Sequence, residues 1–374
     1  MKTMKHVFYA GLALAALASC SQDETTGVDK TGAIGFRTSL GKTTRAEIKL
    51  SNLGSFNVTA FPTGGANYFT DLAVNSLDNG VTWNTASVYY WPAGTLNFTA
   101  YAPASINTLV SIDKTTQKIT AFEPEQAVSS QKDVVASFNS GDKATYGATG
   151  VPMNFKHILS QIEVKAKCTN SKLRVKVKGV KLGAISSKGD FTFPQVVTNS
   201  AYTVLRSNWT NLSTPKAYMA EDTSLPEVTL DGTAKSIMFG SDNFMMIPQQ
   251  LTKYVQASAP TGAYIAVLCR MDIDDGSSNY TALYPSAVPT AYAFAAVGID
   301  TDWQPGKKYT YTLEFGDGGG VVPPNQDNPN PGGNTPVDPQ PPFPNNPGDP
   351  ILNNPIKFTV TVDNWADQNE NISM

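Results

Sequence analysis

Apolar and polar residues alternate with a period of two along much of this chain, the signature of strands with one buried face. The clearest run is Ile356 to Asp363. Ile356, Phe358, Val360 and Val362 fall on one side, and Lys357, Thr359, Thr361 and Asp363 on the other. A short strand is predicted from Ala33 to Leu40, carrying Ile34, Phe36 and Leu40. Further rows are Phe56, Val58 and Ala60; Leu96, Phe98 and Ala100; and Gln161 to Lys167. Lys172 to Lys178 alternates cleanly, and Val180 and Leu182 begin another strand. Lys188-Gly189-Asp190 reads as a turn before Phe191 and Phe193. Phe244 to Ile247, Gly262 to Ile273, and Tyr309, Tyr311, Leu313 and Phe315 complete the set. Residues 104–150 are less patterned. No long helical period and no fixed repeat appears, so the fold class expected is all-β, built of β-sandwich domains. A turn near Asn170 suggests a boundary, dividing residues 33–169 from residues 170–320.

The 374 residues leave room for about two domains. Hydrophobic residues make up 41%, charged residues 16%, and the net charge is −3, which argues against nucleic acid as a partner. Between Val321 and Pro355, 12 of 35 residues are Pro, which favours an extended linker over residues 321–355. Residues 356–374 follow as a strand on a tether. At the other end, Lys2 and Lys5 precede an apolar stretch from Val7 to about Ala16 and then Leu17-Ala18-Ser19-Cys20. This resembles a bacterial lipoprotein signal over residues 1–19, with Cys20 acylated and residues 20–32 a tether; an ordinary secretory peptide is the alternative. Two or more acyl chains would hold the protein on a membrane. Ser21-Gln22-Asp23-Glu24 is similar to the acidic tag of surface-exposed Bacteroidetes lipoproteins.

Candidate chemistry is sparse. Gly41-Lys42-Thr43 fails as a phosphate loop, because Phe36 stands where a glycine is required. The polar run Thr43-Thr44-Arg45-Ala46 instead reads as an exposed site for a trypsin-like protease at Arg45. His157 sits at the head of a strand, where packing or hydrogen bonding suits it better than catalysis. Cys168 and Cys269 continue apolar rows and read as buried thiols, with a disulfide left open. With one His after the leader, no zinc site is expected. Asp272, Asp274 and Asp275 have the wrong spacing for a calcium loop and read as a hairpin turn. The basic row Lys165, Lys167, Lys172, Arg174, Lys176 and Lys178 reads as a solvated sheet face, or as a contact for an anionic glycan or an acidic partner. Trp83, Tyr89, Tyr90 and Trp91 belong to a core, or stack on sugars. Catalytic residues, metal and cofactor are all expected to be none.

Taken in order, Cys20, Thr43-Thr44-Arg45-Ala46, Tyr90-Trp91-Pro92, Leu96-Asn97-Phe98-Thr99-Ala100-Tyr101 and Met153-Asn154-Phe155-Lys156-His157 form a series of landmarks. Met246-Ile247-Pro248-Gln249, Trp303-Gln304-Pro305-Gly306-Lys307-Lys308-Tyr309-Thr310-Tyr311 and Ile356 to Trp365 continue it. Together they resemble the fimbrillin family of Bacteroidales, subunits of type V pili. The resemblance implies two transthyretin-like β-sandwiches, export to the cell outer membrane as a lipoprotein, and incorporation into a fimbrium. It further implies protease cleavage between Arg45 and Ala46, loss of the strand bearing Ile34, Phe36 and Leu40, and its replacement by a donor strand bearing Ile356, Phe358, Val360 and Val362 of another subunit. Partners would be other fimbrillin subunits, the protease, the membrane through the lipid, and a host glycan or protein receptor. A tip or accessory adhesin that does not polymerise is the alternative.

Overall fold

Strand Ser55–Pro62 sends Phe56, Val58 and Ala60 to one side, and its neighbour Leu96–Ala102 sends Leu96, Phe98 and Ala100 to the same place. In the computed structural model, the described residues are 32–40, 53–195, 202–220, 224–240, 243–255, 262–277, 279–285, 291–316, 318–324, 348–352 and 354–364. Among them, these two strands form the middle of an antiparallel sheet. Its order is Lys156–His157, Val135–Gly141, Leu96–Ala102, Ser55–Pro62, Phe69–Asn75, Asn84–Thr85. A separate parallel ladder, Phe36–Ser39 with Val151–Asn154, contributes Ile34, Phe36, Val151 and Met153 to the same core. Trp83 and Trp91 close it from the connecting segments.

A second core lies between two further sheets, of eight and five strands among the described residues. The longest strand, Leu173–Thr192, pairs with Tyr264–Asp274, with Trp209–Ala220, and near its end with Gln117–Phe122. The facing sheet has Ser160–Cys168 parallel to Lys307–Phe315, with Lys357–Asn364 at its edge. Val164, Val175, Val177, Ile265, Val267, Trp303, Tyr311 and Phe315 meet in this core. Cys168 and Cys269 are buried in it as free thiols. Strand Ser160–Cys168, which precedes the turn at Asn170, therefore sits in the C-terminal sheet. A third cluster, with Phe61, Tyr101, Ile119, Phe191 and Trp209, draws on both regions. The all-β class is observed, and no helix among the described residues is long and apolar enough to cross a membrane.

Three local readings change. Lys188-Gly189-Asp190 is not a turn: it lies inside Leu173–Thr192, where the register slips against both neighbours. A bulge uses turn-forming residues to bend a strand without ending it. Asp190 holds the bend by accepting bonds from the Ala121 amide at 2.7 Å and Asn211 Nδ2 at 2.7 Å. Secondly, the loosely patterned stretch contains Val110–Ile112, Gln117–Phe122 and Val135–Gly141.

Thirdly, residues 321–355 are not linker throughout. Gly348 donates to the Val322 carbonyl at 2.7 Å and Val322 to the Asp349 carbonyl at 2.9 Å. Ile351 donates to Gly320 at 2.7 Å. Val321 bridges Ala296 on one side and Pro350 on the other. Val322 and Ile351 are buried in the second core. The described residues on either side, 318–324 and 348–352, meet at one clasp, because isolated Val and Ile residues in a Pro-rich setting still gain from burial.

Candidate functional site

The leading segment crosses the first core as a plug. Gly32 to Ile34 runs antiparallel to Tyr89–Trp91: Ile34 donates to the Tyr89 carbonyl at 2.7 Å, and Trp91 to the Gly32 carbonyl at 3.0 Å. The strand then switches partner and runs parallel to Val151–Asn154. The Val151 amide donates to Gly35 at 2.8 Å and the Phe155 amide to Ser39 at 2.9 Å. Ile34 is 7% exposed and Phe36 8%, with Leu40 packed against the same cluster. Phe36 meets Phe56 and Phe98 edge-on, at centroid distances of 5.9 and 6.1 Å. Such T-shaped pairs suit the ring quadrupoles. The opposite face is polar: Ser39 Oγ donates to Asn154 Oδ1 at 2.7 Å, and Arg37 is exposed. Thr38 faces inward with its hydroxyl enclosed and without a hydrogen-bond partner. All three residues expected on the leaving strand thus converge on one core.

The closing strand, Lys357–Asn364, lies on its own body and pairs antiparallel with Lys307–Phe315 over its whole length. Its alternation holds, but its burial fades along the strand. Ile356 is 2% exposed, Phe358 and Val360 are half-buried, and Val362 is 53% exposed. Phe358 tilts against Tyr311 at 6.1 Å. A cavity of about 370 Å³ opens beside Ile356, Lys357 and Phe358, and one of about 270 Å³ beside Asn364. The four apolar residues expected on a donor strand therefore share one face, which is only partly covered here.

Other candidates resolve into structure. His157 Nδ1 lies 2.8 Å from Asp133 Oδ2, both side chains buried. Lys165 and Lys167 pair with Glu163 and Glu314, at 3.4 and 2.9 Å, in one sheet. Arg174 and Lys176 pair with Asp272 and Glu227 in the other. The basic row is thus split between two sheets, and Lys165, Lys167, Arg174 and Lys176 are matched by carboxylates, while Lys178 lies over the Tyr292 ring. Glu163 is opposed by burial, but Lys308 and Lys165 outweigh that and hold its carboxyl below the usual range. Trp83 and Trp91 are core residues and do not form a sugar platform. Asp274 and Asp275 accept the amides of Gly276 and Ser277, each at 2.8 Å, as turn residues do. Cys20, Arg45 and Ala46 lie outside the described residues. Sequence reasoning missed Thr38 and the receiving strand Val151–Asn154, because nothing local to Phe36–Ser39 names a partner more than a hundred residues on.

A family model described as fimbrillin-like matches residues 44–333. The chain belongs to the fimbrillin-like family. Among solved structures, this fimbrillin-like chain is similar to a fimbrial protein from Bacteroides vulgatus, at 12% identity and a TM-score of 0.54, over 90% of this chain and 100% of that one. It is also similar to a candidate cell adhesion protein from Parabacteroides distasonis, at 10% identity and a TM-score of 0.48, over 89% of this chain and 99% of that one. At such identities the first likeness speaks to the fold alone. No curated protein matches the chain. Membership in the fimbrillin-like family supports a structural, fimbrial role at the cell surface in preference to an enzymatic one. The matched stretch includes neither the leading strand nor the closing strand, so their roles rest on geometry.

Proposed function

We propose that the protein is a structural subunit of a cell-surface fimbrium that polymerises by protease-triggered strand exchange. Export as a lipoprotein acylated at Cys20 brings it to the outer membrane. A trypsin-like protease cuts between Arg45 and Ala46, freeing the strand that carries Ile34, Phe36 and Leu40. The donor strand of another subunit, with Ile356, Phe358, Val360 and Val362, then occupies the slot. Two transthyretin-like sandwiches, the second including Ser160–Cys168, are the body that is strung together, and adhesion through a host glycan or protein receptor is the service it performs.

One observation carries this reading: Ile34, Phe36 and Leu40 plug a core from a segment held by one short ladder and one bridge. Losing them uncovers apolar side chains and the unpaired edge of Val151–Asn154, which an incoming strand satisfies by β-augmentation. The donor gains too. Phe358 is only half-buried on its own sheet, whereas Phe36 in the slot is 8% exposed. Each apolar side chain passing from exposed to buried contributes about 1.5–3 kcal/mol as a gross transfer gain. Leaving Lys307–Phe315 offsets part of that, since an eight-residue ladder is given up.

The test is limited trypsin digestion followed by detergent electrophoresis without boiling. Ladders are expected, and they should vanish in Arg45→Ala and on deletion of residues 350–374. Clean cleavage at Arg45 that leaves only monomer under all conditions would favour the alternative, a tip or accessory adhesin. That second reading draws on the complete ladder that the closing strand already makes at home.

A further inference from the structure

The leaving strand and the closing strand can be laid side by side in one direction. Pro355, Ile356, Lys357, Phe358, Thr359, Val360, Thr361 and Val362 then fall on Ala33, Ile34, Gly35, Phe36, Arg37, Thr38, Ser39 and Leu40. Ile meets Ile and Phe meets Phe at the two deepest places. We propose, resting on the strand-exchange reading, that the closing strand of a second copy of this chain enters the slot parallel to Val151–Asn154 in this register, and that Thr38 makes the leaving strand the poorer occupant.

Each position can be checked against the slot. The bridge between Ala33 and Tyr90 uses the amides of Ile34 and Trp91, so Pro355, which lacks an N–H, forfeits nothing at Ala33's place. A Cβ on Gly35 would come no nearer than 3.9 Å to Gly150, and Gly35 does not need a positive φ, so Lys357 fits there. Thr361 brings a hydroxyl to the position from which Ser39 bonds Asn154. Val360 has nearly the shape of Thr38 without the enclosed, unpartnered hydroxyl. A buried donor left unsatisfied costs free energy that an isosteric apolar group does not. Laid antiparallel instead, Phe358 would fall on Thr38 and Val360 on Phe36, overpacking one place and hollowing the other. A parallel shift of two residues also drives Phe358 onto Thr38, or leaves Asn364 at Leu40's place.

The occupant is a second copy because the donor and the slot belong to the same sequence and match position by position. The pivot would be Asn354-Pro355, next to the clasp at Gly320.

Cysteine trapping tests the register. Copies carrying Asn154→Cys are mixed with copies carrying Thr361→Cys or Lys357→Cys, all in a Cys20→Ser background. They are clipped with trypsin, oxidised mildly and run on non-reducing gels. The proposal expects a disulfide between copies for Asn154→Cys with Thr361→Cys and none with Lys357→Cys. The reverse pattern overturns the register and keeps strand exchange, as do ladders that form without either cross-link. A cross-link that needs both cysteines in one chain overturns the second copy as occupant. Absence of ladders and cross-links together sinks both this inference and the strand-exchange reading. The role of Thr38 has a separate readout in uncut protein. Thr38→Val should slow hydrogen exchange at the Val151 and Phe155 amides about tenfold. Unchanged exchange there removes the hydroxyl as the weak point.

Discussion

Replacing Phe36 by Ala should open the slot without unfolding the body. Phe36 is 8% exposed and makes two edge-on contacts, with Phe56 at 5.9 Å and Phe98 at 6.1 Å. Removing a buried Phe ring costs about 3–5 kcal/mol, and the aromatic pairs account for about 0.5–1.5 kcal/mol each. The strand that bears the ring is held by one short parallel ladder and one bridge, so its local opening is where that cost is felt. Two amides report on the opening and on little else. Val151 donates to Gly35 and Phe155 donates to Ser39, both on the leading segment. Opening made easier by about 3 kcal/mol should speed their hydrogen exchange at least a hundredfold. Amides of Leu173–Thr192 and Tyr264–Asp274, paired within another sheet, should keep their rates. The assay is site-resolved hydrogen exchange on uncut wild type and Phe36→Ala. If all three regions accelerate together, the leading strand unfolds only with the body and the plug idea is wrong. If none does, the ring is not what seats the strand.

Further outcomes can be measured independently. Burial pushes the thiols of Cys168 and Cys269 above the usual range, and the thiolate is the reactive form; alkylation mapped by mass spectrometry should spare both in native protein and modify both after denaturation. Glu163 has a lowered folded-state pKa, so its contribution is fully present above the unfolded carboxylate value of about 4.3 and is lost as pH falls through the folded value. Melting temperature should therefore drop on the acid side of that value, and Glu163→Gln should flatten the drop. A Cβ on Gly318 would stand 2.3 Å from the Asn354 carbonyl oxygen. Gly318→Ala should therefore loosen the clasp, seen as faster exchange at the Ile351 amide with the Ser160–Cys168 amides unchanged.

What the sequence made legible follows from how burial writes itself into local pattern. Gln161 to Lys167 and Tyr309 to Phe315 alternate because one face of each meets the second core, and their extents are close to those observed. Trp209–Ala220 was invisible for the complementary reason: most of its middle is exposed on both faces, so no alternation marks it. Pairing lies beyond local pattern altogether. That Phe36 faces Val151 depends on the folding of everything between them. Gly189 illustrates a third case, in which turn chemistry is present but neighbouring strands on both sides hold the chain extended. The apolar sides of the leading and closing strands could be read in advance. The enclosed hydroxyl of Thr38 and the fading burial from Ile356 to Val362 could not, since both are properties of surroundings.

The clasp has a consequence for how such a chain can vary. The Val322 carbonyl and the Gly348 amide are joined at 2.7 Å, so residues 325–347 begin and end at the same place on the body. If the closing strand joins one subunit to the next as proposed, then while that junction holds the span between them is set by the few residues after Ile351, and the number of prolines in residues 325–347 does not enter it. Under that proposal residues 325–347 are released from the fibre's repeat distance. Foreign sequence could be displayed there, or the stretch shortened, and subunits should still stack at an unchanged axial spacing.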